Sequence, residues 1–320
     1  MDLFKLIADI EKVDPEIYDR LDSRRRVFKH FGTAGKAITG AILPGLVAGV
    51  FQKAYGQTTL PSVKEVLNLA LGLEYLEYYF YNTGLTTTGL IPSGDRAAFE
   101  IIRNDESGHI KVLKGAGADL PDPGRGAFDY SGGKGSMTGP FATVFSDYKI
   151  FLGVAQSFVD TGVRAYKGGA PALMSNKDIL ESALNIHSVE ARHSSHVRTV
   201  RRGLAAGASA ITVPGDLNDL NNKPKSWISG QDNGGASPNT SPVNTRPVYA
   251  AGNPATGNPT DIFFPADDNT TQAGINLITN TTGVTLTAAA ASEAFDEPLD
   301  AATVKSIARN FVLASTTLFT

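Results

Sequence analysis

Between Ser62 and Asn82 the apolar and polar positions follow a helical beat. Leu67, Leu71, Glu74, Tyr78 and Tyr81 recur at steps of three and four residues and therefore share one face. Ser62 stands where an N-cap belongs, and Glu65, three residues on, completes a capping box. The same pattern predicts a second helix over Ser93–Lys114, closed by Gly115-Ala116-Gly117. A third is predicted over about Gly139–Lys167, closed by Gly168-Gly169-Ala170-Pro171, and a fourth over Asn176–Arg202, closed by Gly203. The Gly/Pro-rich stretch from Ala116 to Ser136 separates the second helix from the third. Returning along a bundle of about 30 Å needs roughly nine or ten extended residues. This stretch is longer than that, so it is read as a crossover running the length of a mainly α, four-helix bundle.

Outside the bundle the pattern changes twice. From Leu204 to about Ser292 the chain is rich in Asn, Thr, Pro, Gly and Ala and shows no helical period. Trp227, Tyr249, Phe263 and Phe264 favour an ordered wrap, with a short strand such as Gly283–Thr287. An acidic turn, Glu293 to Pro298, then leads into a closing helix over about Asp300–Leu313. At the other end, residues 2–22 form an amphipathic stretch interrupted near Pro15, followed by Ser23-Arg24-Arg25-Arg26-Val27-Phe28-Lys29 and a mildly apolar run to Phe51. Paired arginines, a moderate apolar run and Ala54-Tyr55-Gly56 have the order of a twin-arginine signal, which implies a periplasmic or extracellular protein. The alternative is a basic surface helix followed by a buried one in a cytoplasmic protein. Pro44, Lys36 and the glycines of the run argue against a stable membrane span. The division expected is 1–56 for the signal-like segment, 57–204 for the bundle and 205–320 for the extension.

Composition narrows the chemistry. The chain has 320 residues, a net charge of −3 and no cysteine. Nothing in that balance favours a nucleic-acid partner, and any metal must be held by carboxylate and imidazole, which suits iron or manganese. Gly132-Gly133-Lys134-Gly135-Ser136 lacks the spacing of a phosphate loop. Two copies of Glu-x-x-His, Glu106 with His109 and Glu190 with His193, fall on the second and fourth helices, and Glu74 lies on the first. Residues three apart on a helix are neighbours on one face. Two such helices facing each other, each with a carboxylate able to bridge, generate paired metal positions roughly 3.5 to 4 Å apart. Tyr75, Tyr78, Tyr79 and Tyr81 are read as packing, and His187 and His196 as surface residues.

The string Asn68-x5-Glu74-x6-Tyr81 resembles the first core helix of ferritin-like proteins. Leu73–Tyr81, Asp105–His109, Asp160–Pro171 and Glu293–Leu299 extend the resemblance to the ferritin-like family that includes desiccation-related proteins and secreted bacterial homologues. That resemblance implies a ferritin-like four-helix bundle with the ligands Glu74, Glu106, His109, Glu190 and His193. It also implies a Tyr near the metal and a glutamate on the third helix just before Asp160, where this chain has Val159. Asp160 is turned about 100° away from that position. Gln156, one turn earlier, shares the face, and Glu77 on the first helix is displaced by a turn. The expectation is therefore a degenerate di-metal site in a structural or stress-protective, self-associating homo-oligomer. The alternative is a working iron or manganese protein with oxygen- or peroxide-linked redox activity.

Overall fold

The computed structural model describes residues 60–205, 225–229, 244–257, 262–280, 283 and 285–320; the signal-like segment 1–56 lies outside the described residues. Four long helices dominate it: α1 Val63–Thr86, α2 Ser93–Gly115, α3 Tyr148–Gly169 and α4 Lys177–Ala205. The capping box opens α1, with Glu65 N–H donating to Ser62 Oγ at 3.2 Å and Ser62 N–H donating to the Glu65 carboxylate at 2.7 Å. Such a cap stabilises a helix by about 1 kcal/mol. The third helix starts later than its apolar period predicts. Residues 139–147 close on themselves in turns, and Asp147 caps the helix by accepting from the N–H groups of Lys149 and Ile150. The fourth helix runs through Gly203 to Ala205.

Helices α1 and α2 pack as one hairpin, α3 and α4 as another. The crossover between them is pinned along α1. Asn68 pairs with Asp119, Tyr79 donates to Asp122 at 2.9 Å, and Arg125 donates to Thr83 at 2.8 Å. The chain thus travels from the start of α1 to its end before α3 begins. As a result α3 runs antiparallel to α1: Phe151, near its start, stacks on Phe80 at 4.7 Å, and Tyr166, near its end, meets Glu74. Phe80, Tyr81, Phe99, Tyr130, Phe151 and Phe158 form the aromatic half of the core. Gly84 is required there, because a Cβ would stand 2.5 Å from the Phe151 ring. N–H groups of the Gly132–Ser136 loop are already engaged: Gly132, Lys134 and Ser136 donate to backbone carbonyls and Gly135 to the Asp129 carboxylate. Asp129 accepts from Ser131, Gly135 and Met137.

The extension is held by buried charge. Arg164 of α3 is fully buried and donates to the carbonyls of Val248, Ala250, Pro265, Glu297 and Pro298. Asp160 accepts from Arg198, Ser194 and Tyr249, which ties the extension to α3 and α4 together. The strand expected at Gly283–Thr287 is not formed by residues 285–287; Thr287 instead caps the short helix α5, Ala288–Ser292. A hairpin forms upstream, β1 Thr271–Gln272 against β2 Ile275–Asn276. Its turn residues Ala273 and Gly274 both have positive φ, the geometry that follows strand twist. The closing helix α6, Ala301–Ala308, is capped by Asp300. Among the described residues no helix is long and apolar enough to cross a membrane.

Candidate metal centre

All four long helices meet at one buried cluster. Glu74 and Glu77 come from α1, Glu106 and His109 from α2, and Glu190 and His193 from α4; all six are buried. One ligand atom each from Glu74, Glu106, His109 and Glu190 lies within 4.8 Å of the others, so this group can hold a metal ion. His109 Nδ1 stands 3.1 Å from Glu74, 3.0 Å from Glu106 and 3.5 Å from Glu190. His193 stands on the far side of the same carboxylates. Its Nδ1 is 3.1 Å from the other Glu106 oxygen, too poorly aligned for a hydrogen bond, and 3.9 Å from Glu190. Glu106 therefore turns one oxygen to each imidazole, and Glu190 lies between them, as bridging carboxylates would.

The pattern of unpaired atoms fits a cation. Glu106 Oε1, both oxygens of Glu190, His193 Nδ1 and Glu77 Oε2 are buried without a hydrogen-bond partner. Leaving such groups unmet costs about 1–3 kcal/mol each, more when charged. All are oxygen or imidazole donors, the set that iron and manganese accept. Without a cation the cluster limits its charge by taking up protons. Burial, reinforced by the Glu190 charge, pushes Glu106 up to about 8. Burial and the charges of Glu190, Glu106 and Glu74 hold Glu77 well above the usual carboxylate range. Burial works against protonation of His193, but the adjacent Glu106 and Glu190 outweigh it and raise it to about 9. His109 is also raised, because Glu106, Glu190 and Glu74 overcome its burial. Glu74 alone is lowered, as the His109 pair outweighs desolvation.

Two supporting residues have no sequence signal of their own. Tyr166, seven residues after Val159 and so on the same face of α3, donates its hydroxyl to Glu74. Asp105, next to Glu106, is 3.0 Å from His193 Nε2. A carboxylate on one imidazole nitrogen fixes the orientation of the ring, so that a cation displacing the second proton meets the lone pair of the other nitrogen, here Nδ1, facing inward. Tyr166 also lines a mainly apolar cavity of about 390 Å³, walled by Leu67, Ala70, Leu73, Leu113 and Leu299.

The expectations for Gln156, His187 and His196 are corrected, and the one for Val159 stands. Gln156 does not approach the centre: its side chain lies with Asp160, Tyr249 and Arg201 in the polar network behind α3. His187 and His196 are not surface residues. Both are half-buried with one ring nitrogen enclosed, His196 packs 6.0 Å from the Phe99 ring, and burial lowers the pKa of each. The α3 side of the centre carries no carboxylate; Val159 is fully buried there, and Gly162 leaves room for Glu190, whose Oε2 would stand 3.1 Å from a Cβ.

A family model described as a ferritin-like domain matches residues 62–202, a span that contains the first three helices, all but the last residues of the fourth and all six clustered side chains. Over that span the chain is similar to a ferritin-like domain. Comparison with the curated proteins and with the solved structures finds no match. The ferritin-like domain ends where the extension begins, so the contacts of Arg164 and Asp160 with residues beyond 244 lie outside the matched span.

Proposed function

We propose that the ferritin-like domain binds iron or manganese at this centre and serves redox chemistry with oxygen or peroxide. The observation that carries this reading is the convergence of Glu74, Glu106, His109 and Glu190 within 4.8 Å in the dry core. Iron or manganese bound there would supply a reversible change of oxidation state. The protein's part is to hold and orient. Glu106 faces both imidazoles, Asp105 keeps His193 Nδ1 turned inward, and Tyr166 fixes one oxygen of Glu74. Elemental analysis of the purified protein tests the reading. Iron or manganese is expected in the wild type and lost in Glu106→Gln. Metal-free wild type that fails to take up either ion in titration refutes it.

Val159 favours a second reading, in which the bundle is kept for a structural or stress-protective role and its redox chemistry is weak. Self-association belongs to that reading, and Ile101 and Val112 support it. Both are exposed, and eleven residues of helix bring them to one face of α2. Light scattering of wild type against Ile101→Glu tests it, with a smaller particle expected for the variant.

A further inference from the structure

We propose that Glu77 replaces the carboxylate missing from α3, so that Glu77, Glu106, Glu190 and His193 hold a second divalent cation beside the first. This inference rests on the metal-binding reading above and adds a ligand and a stoichiometry to it. Glu77 is 4% exposed, and its Oε2 is buried with no hydrogen-bond partner. Among the described residues it forms no ion pair of its own, and the nearby charges of Glu190, Glu106 and Glu74 raise its carboxyl. Its place on α1, three residues after Glu74, puts both carboxylates on one face of that helix.

The unmet atoms are not spread evenly. On the His109 side, Glu74, Glu106 Oε2 and His109 Nδ1 are joined by hydrogen bonds. Towards His193, Glu106 Oε1 and His193 Nδ1 have none, and Glu77 Oε2 has none either; Glu190, whose Oε1 lies 3.5 Å from His109 and 3.9 Å from His193, has none on either oxygen. A single cation at the first position leaves Glu106 Oε1, His193 Nδ1 and Glu77 Oε2 unsatisfied. Charge is consistent with that count: two divalent cations neutralise four ionised carboxylates, whereas with one cation two of the four must be balanced by protons. The facing stretch of α3 adds no ligand, because Val159 is apolar and fully buried and Gly162 has no side chain. The cation class follows from the donors, which are carboxylate oxygen with one imidazole; Mn(II) and Fe(II) accept that set.

The test loads metal-free full-length protein with Mn(II) alone and reads stoichiometry by equilibrium dialysis and spin coupling by electron paramagnetic resonance. Wild type is expected to bind two equivalents and to show the multiline signal of a coupled pair. Glu77→Gln is expected to bind one equivalent with the signal of an isolated ion. Adding Val159→Glu to Glu77→Gln is expected to restore the second equivalent and the coupled signal, which a purely structural role for Glu77 would not produce. Two coupled equivalents in Glu77→Gln, or a single equivalent in the wild type that Glu77→Gln leaves unchanged, overturns the proposal while sparing the metal-binding reading. Wild type that binds no Mn(II) or Fe(II) overturns both.

Discussion

Glu106 and His193 make the centre sensitive to pH in a direction that can be worked out. Both have folded-state values above their unfolded ones, about 8 for Glu106 and about 9 for His193. A group raised by folding contributes stability that is complete below its unfolded value and lost as pH climbs through the folded value. For Glu106 the loss runs from about 4.5 to 8, and for His193 from about 6.5 to 9. Protein stripped by a chelator is therefore expected to melt lower at pH 9 than at pH 6. A loss of 1 kcal/mol corresponds to about 2–4 °C in a domain of this size. Cations replace those protons, so metal-loaded protein should melt at nearly the same temperature at both values, and its affinity should rise with pH. A stripped protein whose melting point rises over that range would contradict the protonation pattern. At this scale the side chains that converge were legible because Glu-x-x-His is a statement about one helix. Tyr166, Asp105 and the burial of His187 and His196 were not, because each depends on which neighbouring helix lies opposite.

At the scale of the element, α3 differs most from expectation. Its apolar period continues back to Gly139, yet the chain there closes into turns, and Asp147 sets the start. Periodicity reports a buried face, and a packed loop next to the crossover has one as well. The capping box of α1 was legible in full, since Ser62 and Glu65 act locally. Gly162 on α3 gives the sharpest test of how this helix shapes the centre. In Gly162→Ala the new Cβ meets Glu190 Oε2 at 3.1 Å, so the carboxylate must yield by a few tenths of an ångström. Alanine in a helix interior gains about 1 kcal/mol over glycine. The stripped variant is expected to be at least as stable as wild type, while its metal affinity falls by about tenfold or more. Competition against a chelator of known affinity measures this, and unchanged affinity would show that Glu190 is free to move.

For the whole molecule, the bundle was legible from four periodic segments and one long connection, and the manner in which the extension attaches was not. The arginine of α3 gives no sign in the sequence that it reaches five carbonyls from segments 84 to 134 residues away. Those carbonyls lose their donor in Arg164→Met, and Asp267, 3.9 Å away, loses its countercharge. Removing one partner from such a buried charge network costs about 3–5 kcal/mol. The variant is expected to release the extension first. Limited proteolysis should cut between residues 244 and 300 under conditions that leave both wild type and the helices of the variant intact. Equal resistance in the two proteins would mean that the extension is held by its apolar contacts alone.

Tyr166 and Arg164 are two residues apart on α3, one turned to the metal ligands and the other to the extension. A rod fixed at one flank transmits restraint to the other. Filling the centre should therefore slow deuterium uptake at Val248–Ala250, whose carbonyls Arg164 holds, although no atom of that segment is a ligand. Uptake there that ignores metal, measured by mass spectrometry on loaded and stripped protein, would mean that the two flanks of α3 relax independently.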